Sequence, residues 1–437
     1  MPRRRLAFLW IALLSGAGLL GWWGLAPQVP SHGQTAPWPV PTVSASAPAP
    51  NASGGDPWGL LAAAQSAQSA QSGEPPAMPQ VKPEMSEADW QAFDRQWCAA
   101  MAPVRERLQG GGSWLDSVRV AMEDPERFEL SKDQQDLMHE LLAQRTEQAL
   151  LTKDHARSRA VALWAHSARS GSAEPAPGAA LLALAQSTRD PMVVALAAQT
   201  LRDPASAQLA RALWRELEPD NLAPLLLARG DEKLAPEVFL QRIAQAGRHE
   251  TYLDDAMALL LGVPPPIRGG PSEWTAQVAA TGRQAAVAVP WARSLSRPCQ
   301  GSVAPDRAAL CEQAAQRIWN LGPDSVLLAS EALKMVRDRP AQRSTAWDER
   351  AQQVEASFQW QADEAQRTMD ETPKRIACLP APSLQRAMVE SRVQGEWATV
   401  QRHLSAQPGA TAALAARFRA GRQGRSLIDP EPSKSRL

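Results

Sequence analysis

Tyrosine occurs once and phenylalanine six times in 437 residues. No stretch alternates β-branched or aromatic residues with polar ones over a strand's length, so a sheet has little to be built from. An excess of either charge is also missing: Lys+Arg and Asp+Glu number 46 each. Three of those cations, Arg3, Arg4 and Arg5, precede the first apolar run, which leaves the remainder slightly acidic. No basic stripe remains to neutralise a phosphate backbone, and nucleic acid is excluded as an expected partner.

Short catalytic signatures are absent too. His139-Glu140 and His249-Glu250 each start like a zinc-protease helix, but Ala143 and Leu253 stand where the second histidine belongs. Both pairs read as helix-surface residues. His155 and His166 are about three helical turns apart, too far to share a metal ion. No serine lies in a G-x-S-x-G turn, and Gly110-Gly111-Gly112 lacks the following Lys and Ser or Thr of a phosphate cradle. The acidic pairs Glu123-Asp124, Asp254-Asp255 and Asp363-Glu364 read as solvated helix faces or ends. No catalytic, metal-ligating or cofactor-binding residue is therefore assigned, and no cofactor is expected.

What is abundant is helix-forming. Alanine, Leu, Gln and Arg dominate, and the expected fold class is all-α. After the basic Met1–Arg5, residues 6–26 (LAFLWIALLSGAGLLGWWGLA) carry no charge. About twenty apolar residues cross a hydrocarbon core of roughly 30 Å, and Trp22-Trp23 lie near the far end, where aromatic rings favour the interface. Residues 1–26 are read as one transmembrane anchor. The alternative is a signal peptide cut after Ala26, which Pro27 disfavours. The positive-inside rule puts the arginines in the cytoplasm. The chain is thus addressed to a bacterial inner membrane as a single-pass protein with its body in the periplasm; with cleavage, it is released there.

Residues 27–85 are rich in Pro, Ala, Ser and Gln and include AQSAQSAQS. They read as a disordered linker, with too little apolar surface to offset ordering. The body follows in two helical halves, 86–262 and 273–420, separated by a Pro/Gly break at 263–272 (VPPPIRGGPS). A polar stretch at 421–437 reads as a disordered tail. Ser86 and Asp89 form a capping-box-like start, with Trp90, Phe93, Trp97 and Met101 on one face behind it. Asp190-Pro191 and Asp203-Pro204 each set a cap before proline in the first helical turn. Trp164, Trp214, Trp274, Trp291, Trp319, Trp347, Trp360 and Trp397 recur along the body, and are read as core plugs between helices rather than as sugar-stacking platforms.

Helices and brief breaks succeed one another as in helical pairs. The stretch Ala207–Ala223, AQLARALWRELEPDNLA, has small residues at Ala207, Ala210 and Ala212, then Pro219 and Asn221 after the helix. It resembles the end of one tetratricopeptide-type repeat and the start of the next, within residues 190–246. The resemblance implies an irregular α-solenoid-like array of antiparallel pairs and a protein or peptide partner. No regular repeat recurs about thirty-four residues away. In an exported chain, Cys98, Cys299, Cys311 and Cys378 are expected to form structural disulfides. Cys299 and Cys311 bracket a short loop and pair locally, which leaves Cys98 for Cys378. Closing such a short loop is worth about 3 kcal/mol in the chain-entropy account. The expected function is a membrane-tethered protein-binding or scaffold module of the envelope. The alternatives are a cell-wall hydrolase on the same tether and a purely structural envelope component.

Overall fold

The computed structural model describes residues 85–112, 132–170, 176–201, 203–228, 234–277, 295–338, 344–376, 378–379, 395–407 and 409–429. Residues 1–26, expected as an anchor, and residues 27–84 of the expected linker lie outside them. Among the described residues the structure is all-α: the only sheet-like pairing is one parallel bridge between Asn221 and Arg248. None of the described helices is long and apolar enough to cross a membrane.

The first helices are α1 (Glu87–Ala100) and α2 (Ala102–Gln109). The capping box closes at Ser86, whose backbone N–H donates to Asp89 Oδ2 (3.0 Å) while its hydroxyl oxygen accepts from the Asp89 N–H (3.2 Å). Then come α3 (Lys132–Leu151), α4 (Ala156–Ser170), α5 (Ala176–Thr188), α6 (Pro191–Thr200) and α7 (Pro204–Leu217). Asp190 caps α6 by accepting from the N–H groups of Met192 and Val193, and Asp203 caps α7 through Ser206. α6 is buried continuously from Met192 to Ala198. Its small Val and Ala side chains let neighbours approach from every side, so it forms the centre of the first core.

α8 (Leu222–Ala228), α9 (Pro236–Gln245) and α10 (Leu253–Leu261) follow. Beyond a 3₁₀ turn at Arg297–Cys299 lie α11 (Pro305–Leu321), α12 (Val326–Arg337), α13 (Ala346–Ile376), α14 (Glu396–Ser405) and α15 (Ala410–Ala420). Helices mostly pack on their neighbours in sequence: α3 on α4, α4 on α5 and α6, α6 on α7, then α11 on α12, α12 on α13, and α13 on α14 and α15.

The order breaks once, and that break shapes the molecule. The first core gathers Trp164, Leu181, Met192, Leu196 and Trp214 with Ala256 and Met257 of α10. The second gathers Leu222, Phe239 and Leu240 of α8 and α9 with Leu333, Trp347 and Val354. The chain therefore enters the second core at α8, returns to the first through α10, and re-enters the second after residue 295. The two cores interlock across residues 218–253, upstream of the Pro/Gly break at 263–272.

A small cluster under α1 joins Trp90, Trp97 and Met101 to Leu142 of α3, with Met85, Ile267 and Cys378 at its edge. Met85 thus packs with the body rather than with the linker. α13 has 31 residues and runs about 46 Å at 1.5 Å per residue, from Trp347 in the second core to the neighbourhood of Cys378 beside α1.

The tail expectation needs correction. Ile428 is buried in the second core, and Leu427 packs against it. Buried Glu355 on α13 accepts from the Leu427 N–H (2.7 Å), the Ser426 hydroxyl and Arg419 Nε (2.6 Å). The Glu355 carboxylate and the buried Ile428, with turn hydrogen bonds along the segment, hold 421–429 against the body, though the segment's polar composition points to solvent. Residues 430–437 lie outside the described residues.

Candidate functional site

The densest polar constellation is at the junction of the two cores. Glu218, the residue after α7, is only 2% exposed. Trp214, one helical turn earlier, donates its indole N–H to Glu218 Oε2 (2.7 Å), and Asn221 Nδ2 donates to the same oxygen (2.8 Å). Glu218 Oε1 accepts from the Tyr252 hydroxyl (2.5 Å) and faces Arg248 Nη2 (3.1 Å). Asn221 also donates to the Glu250 carbonyl (2.9 Å), while its Oδ1 accepts from the N–H groups of Ala223 (3.1 Å) and Glu250 (3.0 Å).

Local geometry explains why the chain can do this. Glu218-Pro219-Asp220 ends α7 in a tight turn, the Asp220 carbonyl accepts from the N–H of Gly247, and the Leu222 N–H donates to the Arg248 carbonyl. Tyr252 caps α10 in the left-handed region, with φ of 60°, which turns its ring back toward Glu218. Burial and the neighbouring Glu218 carboxylate push the Tyr252 phenol well above its ordinary 10.0. Each Glu218 oxygen serves two donors, so the carboxylate fixes the α7–α8 corner to the α9–α10 corner and has no spare acceptor for proton transfer.

One histidine side chain is buried beside this constellation and another is half-buried on α4. His249 was expected on a helix surface, but it is in the segment between α9 and α10 with its side chain 1% exposed. Its Nδ1 is 3.7 Å from Asp324 Oδ2, and neither ring nitrogen has a hydrogen-bond partner. The long-range bridge between Asn221 and Arg248 draws it inward. His166 Nδ1 lies 2.9 Å from Glu147 Oε2, joining α4 to α3. His139 and Glu140 are half-buried on α3, and His155 is exposed before α4. Among the described residues no three His, Cys, Asp or Glu side chains converge as a metal site.

A small groove of about 70 Å³, open to solvent, runs between α3 and the Pro264-Pro265-Pro266 turn. Its walls include Leu142, Thr146 and Leu260, with Arg145 and Glu273 as its charged groups. Arg145 donates to the Pro264 carbonyl (2.7 Å), pinning the turn to α3, and Glu273 accepts from the Gly269 N–H (2.6 Å).

Trp164, Trp214 and Trp347 are fully buried and Trp274 is 7% exposed. Trp319, Trp360 and Trp397 are half-buried; Trp291 lies outside the described residues. Trp319 meets Trp347 and Trp397 edge to face, and Arg350 lies over Trp347 at 4.3 Å and Trp319 at 5.2 Å. That cluster staples α13 and α14 to α11. Asp254-Asp255 lies in the first turn of α10, Asp363-Glu364 on α13, and Glu123-Asp124 outside the described residues.

The four cysteines stand as two bonded pairs, Cys299–Cys311 with Cα atoms 5.8 Å apart and Cys98–Cys378 with Cα atoms 5.6 Å apart. Sequence reasoning overlooked Glu218, Arg248 and Tyr252, as well as Asp94 and Glu355. A lone acidic residue at a helix end or on a helix face looks solvated, and only the long-range fold shows otherwise. No protein-family model matches the chain, and comparison with curated proteins and with solved structures returned no significant similarity.

Proposed function

We propose that this chain is a membrane-tethered binding or scaffold module of a bacterial envelope, whose helical body takes a polypeptide partner. The reading rests on the anchor-like residues 6–26, the linker behind them, and a body resembling tetratricopeptide-type arrays around 190–246. The observation that carries it is the groove between α3 and the Pro264-Pro265-Pro266 turn. Its mostly apolar walls with one cation and one anion suit a single anchoring side chain of a polypeptide and the polar backbone beside it. A polysaccharide would bring a dense set of hydroxyls needing partners that these walls lack.

The address is tested by reporter fusions placed after Met85: activity of a periplasmic reporter supports it, and activity of a cytoplasmic reporter alone overturns it. Partner binding is tested by in-cell crosslinking and affinity purification of the tagged full chain, alongside an Ala276→Trp variant that fills the groove. Recovery of one defined polypeptide by the natural chain and its loss in the variant is expected. Failure to recover one, together with cleavage of cell wall by the purified chain, would favour the hydrolase reading.

A further inference from the structure

The two disulfides occupy different environments. Cys299 and Cys311 are wholly buried in the second core, 12 residues apart, on either side of one short turn. Cys98 and Cys378 are half-buried at the edge of the small cluster under α1 and lie 280 residues apart. A thiolate must reach a sulfur to exchange with it, so accessibility favours reduction of the second bridge over the first.

What that bridge holds is narrow. α1 faces the body with one side only: Trp90, Asp94 and Trp97 are buried, whereas Gln91, Ala92, Arg95 and Gln96 are exposed. Among the described residues, three side chains of the α1 segment (Trp90, Trp97 and Met101) and one from the body (Leu142) form the buried part of this contact, far fewer than in either main core. Its polar attachment is Asp94, which accepts from the Ser272 N–H (3.1 Å) and hydroxyl (3.0 Å) at the start of the helical turn 271–277. Burial pushes the Asp94 carboxyl up from its ordinary value, so its charged form is disfavoured in this position. Cys378 itself has φ of 58°, a left-handed conformation unfavourable for a side-chain-bearing residue.

We propose that the Cys98–Cys378 bridge is a thiol-exchangeable latch, and that a dithiol reductant releases the near-continuous α1–α2 segment from the body as a unit. The thiolate of the dithiol attacks one sulfur of the bridge and forms a mixed disulfide, while the other cysteine leaves as a thiolate and takes up a proton. The second thiol of the reductant then displaces the remaining cysteine. Two electrons pass to the bridge, giving two protein thiols, and the dithiol becomes a disulfide. With the covalent tie gone, the contacts of α1 and α2 with the body among the described residues centre on the small cluster and Asp94. Release uncovers Trp90, Trp97 and Met101 on α1 and Leu142 with Ile267 on the body.

The test uses the purified full chain in detergent, with and without dithiothreitol. Thiol alkylation is mapped by mass spectrometry and amide protection by hydrogen exchange. Cys98 and Cys378 are expected to be alkylated while Cys299 and Cys311 stay bridged. Protection in 87–109 should fall by about tenfold or more, with α6, α7 and α12 unchanged. A Cys98→Ser, Cys378→Ser double variant should lose the same protection without reductant. Retained protection of 87–109 in the reduced chain would overturn the latch. So would alkylation of Cys299 and Cys311 at the same rate, or loss of protection in α6 and α7 together with 87–109.

Discussion

Glu218 illustrates how much one buried carboxylate can organise when all its neighbours donate to it. Replacing it with alanine leaves Arg248, Tyr252, Asn221 and the Trp214 indole without their shared acceptor. Leaving the buried Trp214 and Asn221 donors unsatisfied costs about 1–3 kcal/mol each, and a denaturant midpoint measured on the full chain should shift accordingly. Glu218→Gln keeps an acceptor for Trp214 and Asn221 and should cost about half as much; equal effects would mean that the negative charge alone, and not the acceptor geometry, holds the joint. Tyr252 offers a second reading of the same joint, because it is the chain's one tyrosine. Its phenol is held above 10.0 in the fold, so tyrosinate absorbance should appear at higher pH in the native than in the unfolded chain. The unfolded chain releases this proton first, and the stability the phenol contributes is complete below pH 10.0. It is then lost as pH rises toward the folded value. Tyrosinate appearing at the same pH in both states would contradict the Glu218–Tyr252 hydrogen bond. None of this was legible in the sequence: Glu218 and Tyr252 are 34 residues apart, and Glu and Arg at a helix end ordinarily face water.

At the scale of elements, local chemistry was more readable than packing. The caps at Ser86, Asp190 and Asp203 depend on residues two or three positions away, so the sequence carries them directly. Removing one, as in Asp203→Ala, should leave a first-turn N–H of α7 without its acceptor, visible as earlier thermal loss of helicity. The segment after α15 behaves differently, because its order depends on Glu355, some 70 residues upstream in sequence. Ile428→Ala should weaken its docking by about 2–5 kcal/mol, and Glu355→Ala should leave Ser426 and Leu427 without their shared acceptor. Limited proteolysis tests both: each variant should be cut near 421–429 while α12 and the first half of α13 resist. Unaltered resistance at 421–429 would remove Glu355 as the clamp. The core boundary was hidden for a related reason. A Pro/Gly run signals a break in the chain, but the exchange of α8 and α9 for α10 between cores is a matter of tertiary contact.

Across the whole molecule, tryptophan, polar joints and disulfides divide the work of holding short helices together. Trp164, Trp214 and Trp347 fill the cores; Glu218 and Glu355 join distant segments; α13 runs from the second core to the neighbourhood of α1. Helical composition made the fold class readable, and the residues between Cys299 and Cys311 made a local bridge readable. The groove beside Pro264-Pro265-Pro266 was not, since α3 and that turn are more than a hundred residues apart. The proposal that this body grips a polypeptide in the envelope is tested most directly by placing a photo-crosslinking amino acid at Ala276 in the full, tethered chain and irradiating intact cells. The account predicts a polypeptide adduct of one defined mass, abolished when Thr146→Arg obstructs the facing wall. Irradiation that yields no polypeptide adduct, from a chain shown to be folded and at the membrane, would contradict it.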